Sequence, residues 1–111
     1  MNTIAVDWDG TLVDPKTQAW LPGAKVALHQ LLSQHRHVII HTSRANWLEG
    51  RVSVESKLAE AVARPWETSL GERLKIEPKP NADVYVDDRA IRFTGNWLAA
   101  LRQINLLEEK R

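Results

Sequence analysis

Asp7 and Asp9 stand one residue apart at the end of a short apolar run, and Gly10 and Thr11 follow at once. Val38-Ile39-Ile40-His41 ends in Thr42-Ser43, and Asp83-Val84-Tyr85-Val86 ends in Asp87-Asp88, with Lys79 eight residues before Asp87. Carboxylates gathered on one rim repel one another, and a hard divalent cation relieves that repulsion. Mg²⁺ suits such a rim because it takes few carboxylates, keeps waters and accepts a phosphate oxygen. A phosphoryl group needs a nucleophile, a fixed cation and donors around its oxygens. The chain has no cysteine, so the covalent nucleophile on offer is a carboxylate, Asp7, forming an aspartyl-phosphate. Asp9 is placed to protonate the leaving oxygen and then to deprotonate the attacking water. Gly10 lets the backbone approach a phosphate, Thr11 helps hold the turn, and Lys79 supplies the cation.

Taken singly, each member has an ordinary reading. Average residue usage produces Asp-x-Asp-Gly-Thr in only about one chain in a thousand of this length, so that motif is the specific one. A calcium loop is the other metal reading of Asp-x-Asp, but its glycine belongs at the sixth position and Gly10 is at the fourth. Asp87-Asp88 resembles a common turn, Thr42 and Ser43 are ordinary helix N-caps, and Lys79 alone is a solvated lysine. His37 and His41 lie roughly 13 Å apart if they share a strand, too far for one metal, and His29 and His35 stand apart from the motifs. Trp20 is the tryptophan nearest the first motif in the following loop, and packing competes there with substrate contact.

The elements that must position these residues follow from periodicity. Residues 3–7 are short, β-branched and apolar, a buried strand running into a turn. Pro22-Gly23 opens a helix with the stripe Ala24, Ala27, Leu28, Leu31, Leu32. Residues 38–41 form a second strand. A longer helix is expected over 46–63, with Leu48, Val52, Ala59 and Val62 on its inner side and Pro65 ending it. Leu74-Lys75-Ile76, residues 83–86 and Ile91-Arg92-Phe93 read as further strands, and Trp97, Leu98, Leu101 and Ile104 mark a closing helix. Strands alternating with helices imply an α/β fold, a doubly wound parallel sheet covered on both faces in three layers. Ligands bind such sheets outside the carboxyl ends of the strands, which is where Asp7 and Asp9, Thr42 and Ser43, and Asp87 and Asp88 fall, with Lys79 close enough to reach the same rim.

With 111 residues and no repeat, one domain over 1–111 is expected. Apolar residues at 43% and charged residues at 26% match globular averages and exclude disordered and fibrous classes. Fifteen Lys and Arg against 14 Asp and Glu give a net charge of +1, which provides no electrostatic case for nucleic acid or a membrane surface. Asp7 interrupts any apolar leader, and the aliphatic runs are too short to span a bilayer, so a cytoplasmic location is expected.

In order and spacing, Asp7-Trp8-Asp9-Gly10-Thr11-Leu12, the run through Thr42-Ser43-Arg44, Lys79-Pro80 and the strand into Asp87-Asp88 resemble the haloacid dehalogenase (HAD) superfamily of phosphohydrolases. The resemblance covers about residues 3–104 and implies a Rossmann-like HAD core. It implies Asp7 as nucleophile and Mg²⁺ ligand, and Asp9 as general acid/base and a ligand through its backbone carbonyl. Thr42, with Ser43 beside it, would bind the phosphoryl oxygens, Lys79 would neutralise developing charge, and Asp87 would ligate the metal. Asp88 would act directly or through water. Trp8 is bulkier than the aliphatic residue or Phe usual between the two aspartates, and Lys79 precedes the acidic strand with no helix between them. Only about ten residues separate the first motif from the first helix, which resembles the capless type. Such relatives act on phosphate groups of macromolecules or close the site with another subunit, so a homo-oligomer is compatible. The expectation is a Mg²⁺-dependent phosphomonoester hydrolase. A nucleic-acid end phosphatase shares its chemistry; a catalytically silent HAD-like scaffold and a phospho-accepting signalling domain are the rivals of another class.

Overall fold

A computed structural model describes residues 3–34, 37–62, 74–79 and 91–109. Strand β1 (Thr3–Asp7) is followed by helix α1 (Ala24–Ser33) and strand β2 (His37–Thr42). A short 3-10 helix (Ser43–Asn46) leads into α2 (Leu48–Ala61), then β3 (Leu74–Pro78) and α3 (Trp97–Glu109). The strands form one parallel sheet in the order β1-β2-β3, with Asp7 opposite His41 and Thr42 opposite Pro78. Parallel neighbours need crossovers, and α1 and α2 lie in the two connections. The fold class is therefore α/β, as the alternating pattern implies.

Burial alternates along the strands. Val6, Val38, Ile40, Thr42 and Leu74 are buried, whereas Thr3, Ala5, His37 and Lys75 are exposed. Val38 and Ile40 join one core with Leu28 and Leu31 of α1, Val54 and Leu58 of α2, and Trp97 and Ile104 of α3. The described elements seal one face of the sheet; Thr3, Asp7, His37, His41, Lys75 and Glu77 alternate onto the other face. The strand expected over 83–86 and Pro65 lie outside the described residues.

Helix α1 buries the five residues its periodicity selects, and Gly23 before it takes φ 80°, a left-handed conformation suited to glycine. Helix α2 corrects the expected face. Gly50, Val54 and Leu58 face inward, while Leu48 is 75% exposed, Val52 48% exposed, and Ala59 also exposed. Val62 is buried but stands just past the helix. Two residues of offset turn a helix by about 200°, so choosing the 48–52 stripe places the whole helix back to front. Gly50 explains the choice made by the fold. A Cβ there would strike the Arg44 carbonyl oxygen and come within 2.7 Å of Trp47 Nε1, so only the glycine side of α2 fits against the loop before it. Gly50→Ala should consequently cost about 1–3 kcal/mol, read as a lowered thermal midpoint. An unchanged midpoint would show that the loop yields freely.

Residues 91–94 form no strand, contrary to the expectation for Ile91-Arg92-Phe93. Ile91 and Phe93 instead pack against the core from an irregular segment, with the Phe93 ring 5.1 Å from Trp97. In α3 the inward residues are Trp97, Ala100 and Ile104, whereas Leu98 is exposed. No helix among the described residues is long and apolar enough to cross a membrane.

Candidate active site

Three adjacent parallel strands end together, and each delivers one polar residue to the same rim: Asp7 from β1, Thr42 from β2 and Lys79 just after β3. Lys79 is fixed by its backbone as well, since its N–H donates to the Thr42 carbonyl at 3.2 Å. Its Nζ lies 3.2 Å from Asp7 Oδ1, which also accepts the Trp8 N–H at 3.0 Å. The lysine and the first aspartate, 72 positions apart, are therefore brought together.

Beyond Asp7 the chain turns tightly. The Trp8 carbonyl accepts the N–H groups of Thr11, Leu12 and Val13, and Gly10 N–H donates to the Val13 carbonyl at 2.8 Å. Gly10 takes φ 82° with open space where a Cβ would stand, so backbone conformation is what demands glycine there. The N–H groups of both Gly10 and Thr11 are used inside the turn, and the Thr11 carbonyl accepts Trp97 Nε1 at 3.0 Å, tying α3 to the motif. Residues 13–20 then fold into a compact strap. Asp14 Oδ1 accepts the N–H groups of Lys16 and Thr17, which hold its carboxyl below the ordinary value, and Val13 bridges to Trp20. Trp20 packs edge-on against the fully buried Trp8, ring centroids 5.6 Å apart, with Lys57 Nζ 6.0 Å from its ring, while its indole Nε1 is buried with no hydrogen-bond partner among the described residues.

Asp9 has partners that its motif does not announce. Arg44 grips it bidentately, Nε to Oδ2 at 2.8 Å and Nη2 to Oδ1 at 3.1 Å, and Gln18 Nε2 donates to Oδ1 at 2.7 Å. The bond to Asp9 raises the Arg44 pKa above its ordinary value, against the opposing effect of burial. Arg44 follows directly on the strand-end pair Thr42-Ser43, a position from which reach to the rim was legible; Gln18, nine residues from Asp9 in a loop, carries no such signal. Thr42 is buried, and its Oγ1 accepts the Arg44 N–H at 3.2 Å, so it caps the 3-10 helix that Ser43 begins. The capping reading of Thr42 is thus realised, and the cap aims the arginine loop.

Asp87 and Asp88 lie outside the described residues. Among the described residues no group of three or more His, Asp or Glu side chains is placed to hold a metal. The oxygens present do fit part of a Mg²⁺ shell. Both described contacts of the Asp7 carboxylate fall on Oδ1, leaving Oδ2, and no described hydrogen bond uses the Asp9 backbone carbonyl. Both are hard oxygen donors of the kind Mg²⁺ takes. His41 is half-buried in β2, between Asp7 and Glu77 in register. Compared with protein-family models, with curated proteins and with solved structures, the chain matches none.

Proposed function

We propose that this chain is a Mg²⁺-dependent phosphomonoester hydrolase, of the HAD type that its motifs resemble, working through an aspartyl-phosphate on Asp7. One observation carries the reading: the Lys79 ammonium lies 3.2 Å from Asp7 Oδ1, at the strand end that opens the Asp-x-Asp-Gly-Thr turn. A lysine against a carboxylate at a strand end is ordinary; one beside an Asp-x-Asp-Gly-Thr turn is what phosphoryl transfer to Asp7 requires.

The chemistry divides among this chain's own residues. An Asp7 oxygen attacks phosphorus and forms the acyl-phosphate bond while the ester P–O bond breaks. Lys79, 3.2 Å from the Asp7 carboxylate, would offset the charge of the phosphoryl oxygens. Asp9 gives its proton to the leaving alkoxide, then takes one from the water that attacks the acyl-phosphate, releasing phosphate and restoring the Asp7 carboxylate. Asp7 Oδ2 and the Asp9 carbonyl would hold Mg²⁺, with Asp87 and Asp88 added by the resemblance. When bound, the metal supplies positive charge against the clustered carboxylates and the phosphoryl group. Thr42 and Ser43 border the phosphoryl position from the end of β2. The connection between β1 and α1 is a hydrogen-bonded strap rather than an inserted domain, which supports the capless reading and a substrate phosphate carried on a macromolecule.

The test is phosphate release by purified protein with Mg²⁺ from a panel of small phosphomonoesters and of DNA and RNA ends bearing 3′ or 5′ phosphate. Release that chelation of the metal abolishes is expected, with macromolecular ends turned over at least as well as small esters. Absence of release from every ester would overturn the reading. A stable phosphate retained on Asp7 would instead favour a phospho-accepting domain.

A further inference from the structure

Three N–H groups divide the Asp9 carboxylate unequally. Among the described residues, Oδ1 accepts Gln18 Nε2 at 2.7 Å and Arg44 Nη2 at 3.1 Å, whereas Oδ2 accepts Arg44 Nε alone, at 2.8 Å. Each carboxylate oxygen offers about two lone-pair sites, so Oδ1 is filled and the described residues leave one site on Oδ2 open. Which end of the Gln18 amide meets Asp9 decides whether this arrangement exists at all. With the amide reversed, its oxygen would face the carboxylate and repel it.

Trp8 makes that decision. Its indole N–H is donor-only, the residue is fully buried, and its Nε1 lies 3.0 Å from Gln18 Oε1. An unpaired buried N–H is costly, so the Gln18 oxygen is committed to Trp8 and the NH₂ end must face Asp9. The NH₂ group also donates to the Asp14 carbonyl at 3.2 Å, which holds the same orientation from the strap side. The backbone agrees: Gln18 sits at φ 59°, the one described non-glycine residue with positive φ, and its N–H is tied to the Asp14 carbonyl at 2.8 Å. A left-handed glutamine held in this way is directed at its partners by the strap.

We propose that Trp8 and Gln18 form a positioning relay for the proton-transferring carboxyl. Trp8 fixes the amide of Gln18, Gln18 and Arg44 fill Oδ1, and Oδ2 remains as the oxygen that meets leaving group and water. The catalytic consequence rests on the hydrolase reading; the relay itself rests on the hydrogen bonds alone. It also assigns a use to the unusual tryptophan between the two motif aspartates, since an aliphatic residue or Phe there could not orient an amide.

Two variants separate the parts. Gln18→Glu keeps an oxygen for Trp8 and removes the donor to Asp9, and Gln18→Met removes both. At about pH 8, well above ordinary carboxyl pKa values, Gln18→Glu should lower kcat roughly ten- to a hundredfold with KM within about twofold. The Trp8 indole N–H resonance, assigned in labelled protein, should stay near its wild-type position in Gln18→Glu and move clearly in Gln18→Met. Wild-type kcat in Gln18→Glu overturns the relay, as does a raised KM with kcat intact, which would put Gln18 on the substrate. An unmoved Trp8 resonance in Gln18→Met overturns it too. Failure of the hydrolase reading looks different: the wild type then releases no phosphate from any ester. Asp9→Ala then decides the relay by NMR, because the Gln18 side-chain amide protons move if they are held by Asp9 and stay put if they are not.

Discussion

Asp7→Asn is expected to lower turnover by roughly 10⁴-fold or more while the protein stays folded. The size of the loss follows from chemistry: an amide oxygen is a poor nucleophile, and no cysteine stands in reserve. Retention of the fold follows from the contacts. Both described hydrogen-bonding partners of Asp7, the Trp8 N–H and Lys79 Nζ, meet a single oxygen that the asparagine still presents. What the variant loses is the charge opposite Lys79, in a pair whose aspartate side chain is 41% exposed, and pairs this open to water contribute little to stability. Phosphate release and thermal unfolding measured side by side check both halves. Near-wild-type release would remove Asp7 from its role; collapse of the unfolding transition would show that the residue is structural first.

Asp9→Asn should slow the reaction by roughly 10²–10⁴-fold and divide it unevenly between the two chemical steps. With an activated leaving group such as p-nitrophenolate, the first step hardly needs an acid, so phosphorylation of Asp7 recovers. The second step still needs a base for the attacking water. Aspartyl-phosphate should therefore accumulate in the variant and be trapped by rapid acid quench, whereas the wild type shows little. A structural side effect accompanies it. Arg44 donates to both Asp9 oxygens, and an asparagine NH₂ in place of one of them sets donor against donor, so the arginine must release one bond. Thermal unfolding should register that as a modest loss beside the kinetic one. A wild type that itself holds long-lived aspartyl-phosphate, with Asp9→Asn making no difference, would replace the hydrolase with a phospho-acceptor.

Much of the frame was legible before any coordinates. Residues 3–7 and 38–41 are short, apolar and β-branched and form strands, of which Val6, Val38 and Ile40 are the buried residues, and helix α1 buries the stripe that its 3.6-residue period selects. Because parallel strands point the same way, their carboxyl ends fall on one side, so strand assignment put Asp7 and Thr42 on a common rim, whereas Lys79 was expected there from its nearness to Asp87 and is delivered by the end of β3. The weaker patterns failed for a physical reason. Apolar residues surround α2, so periodicity cannot choose its inner face; the close approach of Gly50 to the Arg44 carbonyl chooses it. Ile91 and Phe93 alternate like a strand, yet they pack on the core without one, since alternation describes burial and not hydrogen bonding.

The sequence by itself determined the chemistry on offer: paired carboxylates, a glycine turn, a lysine and no thiol, all set at strand ends by local patterning. Only the tertiary structure decided how Asp9 is held. Arg44, 35 positions away, supplies two of its bonds, and Gln18 supplies the third from a left-handed turn oriented by Trp8. Contacts of this kind depend on where a loop folds back, which packing fixes and periodicity does not encode. A motif names the residues that can react; the side chains that aim them come from parts of the chain that share no motif with them.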